Sequence, residues 1–193
     1  MENRQHYFFA IRLPLEIKQK LSLMCQRIIE PFPFKRWVHE QDYHITLAFL
    51  GGAPQETLDR AKENVASKLH SHTSFPLAIN HLGVFGKKDA PRIFLAGLDK
   101  EQRLDDLRAD VYKACTEAGF SLETRPFNPH ITLARKWGGE TPFEPERLIQ
   151  LQQDRLSRVE CEIKEVVLYQ TNLNQTPKYE AISLYKLKEP SIF

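Results

Sequence analysis

Two histidines in this chain occupy the same five-residue setting: His-Ile-Thr-Leu-Ala at 44–48 and again at 130–134. Side chains alternate faces along a strand. His44 and Thr46 therefore share one face and Ile45 and Leu47 the other, and His130 and Thr132 stand against Ile131 and Leu133 in the same way. Each copy has an apolar face for a core and a His/Thr face for something polar. Histidine's ordinary pKa lies nearest neutrality of any side chain, so a pair can hold one neutral and one protonated ring at one pH. The neutral ring takes a proton from an attacking water, and the protonated ring gives one to a leaving oxygen. Each threonine hydroxyl, two residues on, can donate to an oxygen where charge develops. This set suits in-line displacement at the phosphorus of a phosphodiester. Such a group leaves poorly and needs acid and base on opposite sides more than it needs a metal. One strand histidine alone would more often be structural; the repetition makes the pair a candidate site.

The elements that must position the pair can be read from periodicity. Residues 6–13 read as a buried strand, followed by a helix from Pro14 with Ile17, Leu21, Met24, Cys25 and Ile28 on one face, ended by Pro31 and Pro33. Residues 34–38 read as a short extended piece, and 42–50 as the first repeat strand, closed by Gly51-Gly52. Pro54 opens a second helix with Leu58, Ala61, Val65 and Leu69 inward; strands over 75–85 and 91–98 flank a turn. A third helix spans about 100–118, with Leu104, Leu107, Val111 and Ala114 in one stripe, and stops at Gly119. The second repeat strand covers 127–136 before Gly138-Gly139, a short helix follows near 144–153, and 159–170 and 178–187 read as a final strand pair. Interleaved helices with hairpin-like strand pairs predict an α+β fold. Both halves contain a helix, a repeat strand and a Gly-Gly turn. The expectation is two pseudo-symmetric lobes, each a mainly antiparallel sheet with flanking helices, around a central groove. No Pro/Gly/Ser linker divides them, so 1–193 reads as a single domain of two intertwined lobes.

Bulk properties narrow the function classes. The chain has 193 residues, 41% of them hydrophobic, and a formal charge of +2. This excludes a disordered chain and does not supply the basic face that a long duplex demands; a small or terminal anionic substrate fits. Cys25, Cys115 and Cys161 lie far apart and are odd in number, so they read as free thiols of a reducing cytosol. No signal peptide or span of about 18 apolar residues is legible, which predicts a cytoplasmic protein away from membranes. His70 and His72 lack a third partner at zinc-like spacing, so neither a metal nor another cofactor is expected.

Tyr43-His44-Ile45-Thr46-Leu47-Ala48-Phe49-Leu50-Gly51 and Phe127-Asn128-Pro129-His130-Ile131-Thr132-Leu133-Ala134-Arg135 are the two HxTx segments, at 44–47 and 130–133. With them the chain resembles the two-histidine (2H) phosphoesterase superfamily, and within it the bacterial LigT-like RNA 2′,3′-cyclic phosphodiesterases, also called 2′-5′ RNA ligases. Tyr7-Phe8-Phe9-Ala10-Ile11, Arg36-Trp37-Val38 and Gly83-Val84-Phe85 also resemble that family, over residues 6 to about 185. The resemblance implies metal-independent hydrolysis of a 2′,3′-cyclic phosphate at an RNA or nucleotide end to a 2′-phosphomonoester, with a reverse 2′-5′ ligation available. It implies His130 as proton acceptor and His44 as proton donor; spacing alone cannot rank the two rings. It also implies a phosphate contact for Arg135. Strict alternation would point Arg135 away from His130 unless the strand ends or bulges before the Gly-Gly turn.

Thr46 and Thr132 are the expected hydroxyl donors to substrate. Phe9, and Trp37 similarly, are candidates to stack on a base. Lys87, Lys88 and Arg92 frame a turn and read as a solvated hairpin tip. Two rival readings keep the fold. One is a phosphodiesterase acting on 2′-5′ oligonucleotides or ADP-ribose cyclic phosphate; the other is a non-catalytic RNA or nucleotide-binding module. A monomer is the default.

Overall fold

A computed structural model of the chain describes residues 5–155 and 158–190. In chain order the elements are β1 (Tyr7–Arg12), α1 (Leu15–Gln26), β2 (Phe34–Trp37), a 3₁₀ turn (Glu40–Asp42), β3 (His44–Gly51), α2 (Gln55–Leu69), β4 (Phe75–Gly86), β5 (Pro91–Leu98), α3 (Gln102–Glu117), β6 (His130–Trp137), α4 (Pro145–Arg155), β7 (Val159–Ile163), β8 (Glu165–Thr171) and β9 (Tyr179–Lys186). The fold is α+β, as the interleaving predicts. β6 starts at His130 rather than at 127, since Pro129 has no N–H to give a ladder.

The two lobes join into one nine-stranded sheet of order β7-β4-β5-β6-β3-β1-β8-β9, with β2 paired to β6 off that path. Each repeat strand is the innermost of its half. All pairings between named strands are antiparallel, and the halves meet through one register pair, Ile45 opposite Ile131. These isoleucines occupy the same position of the two repeats, so a pseudo-twofold axis passes between them.

The 159–170 segment is not one strand. β7 pairs with β4 at one end of the sheet, while β8 pairs with β1 and β9 in the other half. Only Lys164 separates them, so the sheet has to curl until its ends meet. A parallel bridge from Thr73 to Lys188 and the bond from Ser74 N to Lys188 O at 2.8 Å fasten that closure. An apolar run shows no sign of which neighbour each half will take.

Alternation sends Ile45, Leu47, Ile131 and Leu133 into a contiguous core shared by both halves. Burying one such side chain stabilises by about 1.5–3 kcal/mol. Helices α2 and α3 pack on each other, and α3 also packs on β3. No helix among the described residues is long and apolar enough to cross a membrane.

Candidate functional site

Because Ile45 faces Ile131, the residues flanking them face one another on the opposite side of the sheet. His44, Thr46, His130 and Thr132 therefore share one face, and the antiparallel register sets each histidine toward the other copy's threonine. Two identical segments make a two-faced polar centre from a single seam.

Both rings are held by the same device. His44 donates from Nδ1 to the Asp42 carbonyl at 2.7 Å, and His130 donates from Nδ1 to the Asn128 carbonyl at 2.8 Å. A carbonyl can only accept, so these bonds place the ring proton on Nδ1 and leave Nε2 as the unprotonated nitrogen in both neutral rings. At His44 the Thr46 hydroxyl donates to Nε2 at 3.0 Å.

Burial pushes the His44 pKa down to about 4 from an ordinary 6.5; the Asp42 carbonyl opposes this, and the charges of Lys18 and Arg135 add to it. The His130 pKa is lowered as well, first by burial and then by Arg135, against the Asn128 carbonyl. Without an anion beside them, both rings are neutral near pH 7. For a ring whose folded pKa lies below its unfolded value, the unfolded chain takes up the proton first. The stability tied to His44 is thus complete above about pH 6.5 and lost as pH falls toward 4. Thermal unfolding should show a falling Tm across that window, and a smaller fall in His44→Gln. Equal falls in both proteins would assign the effect to other groups.

Arg135 reaches this face through a bulge. In β6, Phe94 opposes Ala134 and Leu95 opposes Thr132, so Leu133 is skipped. The extra residue shifts the alternation by one. Arg135 then lies on the His/Thr face, exposed, where its charge acts on His44, on His130 and on the Tyr179 hydroxyl. The first repeat bulges at the same place, with Phe9 opposite Ala48 and Ala10 opposite Thr46. There the position equivalent to Arg135 is Phe49, which is 55% exposed.

Phe9 does not reach the site. It is fully buried and packs its ring at 6.0 Å from Tyr185, because β1 alternation points it into the core. Its neighbour Phe8 takes the other face, at 4.8 Å from the His44 ring, with Tyr179 edge-on at 5.2 Å. Trp37 also packs inward, against Phe34 and Phe94. Phe85 lies edge-on to His130 at 4.9 Å. Phe8 and Phe85 lie in segments that resemble the family, but the sequence attaches no role to either, and Tyr179 leaves no sign there. His72, between α2 and β4, pairs with Asp110 of α3 at 2.8 Å, outside this set.

Asp42 joins the site to the β8–β9 turn. Its buried carboxylate accepts from Lys178 N at 2.9 and 3.0 Å and from Tyr179 N at 3.1 Å. Lys18, also buried, donates from Nζ to the Gln41 carbonyl at 2.6 Å. Its pKa is pushed down to about 8, by burial first and then by Arg12.

Residues 9–175 match the family model of the 2′-5′ RNA ligase superfamily. A relative from Geobacillus stearothermophilus named RNA 2′,3′-cyclic phosphodiesterase is 47% identical over 95% of this chain; the chain spans 58% of that protein. One of the same name from Bacillus subtilis is 35% identical over 95% of this chain and 97% of its own length. The crystal structure of Escherichia coli LigT complexed with 3′-AMP superposes with a TM-score of 0.78 at 23% identity, over 96% of this chain and 99% of that one.

Proposed function

The chain belongs to the 2′-5′ RNA ligase superfamily, and on that footing we propose that it hydrolyses the 2′,3′-cyclic phosphodiester at an RNA or nucleotide end to a 2′-phosphomonoester. The observation that carries this reading is the pair of histidines with identical Nδ1 anchors on one face of the Ile45–Ile131 seam. Relatives with the name RNA 2′,3′-cyclic phosphodiesterase support the substrate class.

In the reaction, a water oxygen attacks phosphorus and His130 Nε2 takes its proton. The phosphodiester anion counters the field of Lys18 and Arg135 and raises the proton affinity of His44. Protonated His44 then gives its Nε2 proton to the ribose O3′ as the P–O3′ bond breaks. Thr46 turns from the His44 ring to the substrate, and with Thr132 and Arg135 donates to the non-bridging oxygens, where a guanidinium fork fits. Both proton transfers belong to side chains, so the step uses no metal. Both histidines come from one chain, so one copy completes the site and a monomer suffices. The three thiols are free and buried, which suits a reducing cytoplasm.

The test is RNA ending in a 2′,3′-cyclic phosphate, incubated with and without chelator, with the product's phosphate position read by NMR. The expected result is a 2′-phosphomonoester formed at the same rate in both. No turnover, or turnover abolished by the chelator, would overturn the reading. A 3′-phosphate would mean that O2′ leaves instead.

A further inference from the structure

The pseudo-twofold leaves two equivalent gaps, because β3 and β6 diverge on both sides of Ile45–Ile131. One gap is filled. β2 pairs there with the end of β6, and Val38 N donates to the bulged Leu133 carbonyl at 2.9 Å. The other gap, between residues 46–51 and the segment 121–128, stays open as a cleft of about 1110 Å³ running directly from Thr46 and His130. Small-ligand sites occupy about 300–1,000 Å³, so the cleft holds more than one nucleotide.

Its walls fit a nucleic-acid strand. α3 places Arg108 there with its guanidinium 4.3 Å from the Tyr112 ring centre and 5.3 Å from that of Phe127. The Arg108 Nε is buried without a hydrogen-bond partner, and no carboxylate among the described residues lies within ion-pair distance of it. A buried unpaired donor on a cation is costly unless something occupies it. Arg125, the other cation in the cleft, is already paired with Glu123 at 2.7 Å. Exposed Phe49 offers a flat apolar face in the same cleft.

We infer that this cleft binds single-stranded RNA upstream of the cyclic end, with Arg108 taking a phosphodiester 5′ to the reacting group and Phe49 stacking an upstream base. The inference rests on the proposed function and goes further: the chain prefers an RNA end to a free cyclic nucleotide. The filled second gap lets the strand leave the site in one direction only.

The experiment compares kcat/KM on a cyclic mononucleotide and on a trinucleotide with the same 2′,3′-cyclic terminal residue. A charge-assisted bond predicts that the wild-type protein favours the trinucleotide by about 10- to 100-fold. Arg108→Ala should erase most of that preference and leave the mononucleotide rate unchanged. Replacing the internal linkages by uncharged methylphosphonates tests the same contact without altering the protein. The wild-type protein should lose the preference on that substrate, and Arg108→Ala should lose nothing more. Equal wild-type rates on the two substrates, an Arg108→Ala loss shared by both, or indifference to the neutral linkage would each overturn the inference while leaving the cyclic phosphodiesterase reading in place. Turnover of neither substrate would overturn that reading and this inference with it.

Discussion

His44→Ala and His130→Ala should each lower kcat on RNA with a 2′,3′-cyclic end by about 10²–10⁴-fold, the range of a positioned general acid or base. The double variant should lose little more than the worse single one. In the proposed mechanism acid and base act in one transition state, and removal of either leaves the other with no concerted step to assist. Each ring is held through Nδ1 by a carbonyl of its own approach segment. Asn fits that role poorly, but Gln spans a similar length, so His→Gln offers a companion variant that keeps the volume. The pH profile separates roles. With both pKa values lowered in the free protein, the acid limb of kcat/KM should fall below histidine's ordinary 6.5. Losing the base should remove that limb and losing the acid should remove the alkaline one. Full activity in either alanine variant would refute the two-histidine mechanism; so would a strictly multiplicative double variant, which implies two unrelated contributions.

The second large effect lies outside the motif. Asp42→Ala should destabilise the fold by about 3–5 kcal/mol, since it strands two backbone donors that now give charge-assisted bonds worth about 1.5–3 kcal/mol each. For a chain of this length that is a Tm drop of about 6–20 °C. It should also lower kcat with little change in KM. The Asp42 carbonyl fixes the His44 ring, and the turn bonded to its carboxylate carries Tyr179, which packs edge-on to that ring. Asp42→Asn keeps an acceptor oxygen and should recover part of both losses. A Tm within 2–3 °C of wild type would show that the turn holds itself; a stable Asp42→Ala protein with unchanged kcat would show that His44 needs no such support.

Much of this was legible beforehand. The core faces of α1, α2 and α3 follow from apolar spacing, and Leu104, Leu107, Val111 and Ala114 are all buried as that spacing requires. His44, Thr46, His130 and Thr132 follow from a repeat and a period of two. Phe9 shows the limit. An aromatic beside a site strand gives no sign of its face until the strand is paired, and the pairing assigns Phe8 to the site and Phe9 to the core. The break at Lys164 was hidden for a related reason: strand propensity is local, while the choice of neighbour is not.

The sequence by itself determined what chemistry is on offer. Two His-x-Thr faces with apolar backs can form only where both backs enter a core, because burying the other face would strand four polar side chains. It could not determine that the two faces would meet, since that needs Ile45 opposite Ile131 across 86 residues of chain. Nor could it place Arg135. Alternation sends this residue to the core face, and the skipped Leu133 returns it to the histidines. A bulge is a property of two paired strands rather than of either sequence. Only the tertiary structure also decided that β2 fills one side of the seam and leaves the other open as a cleft.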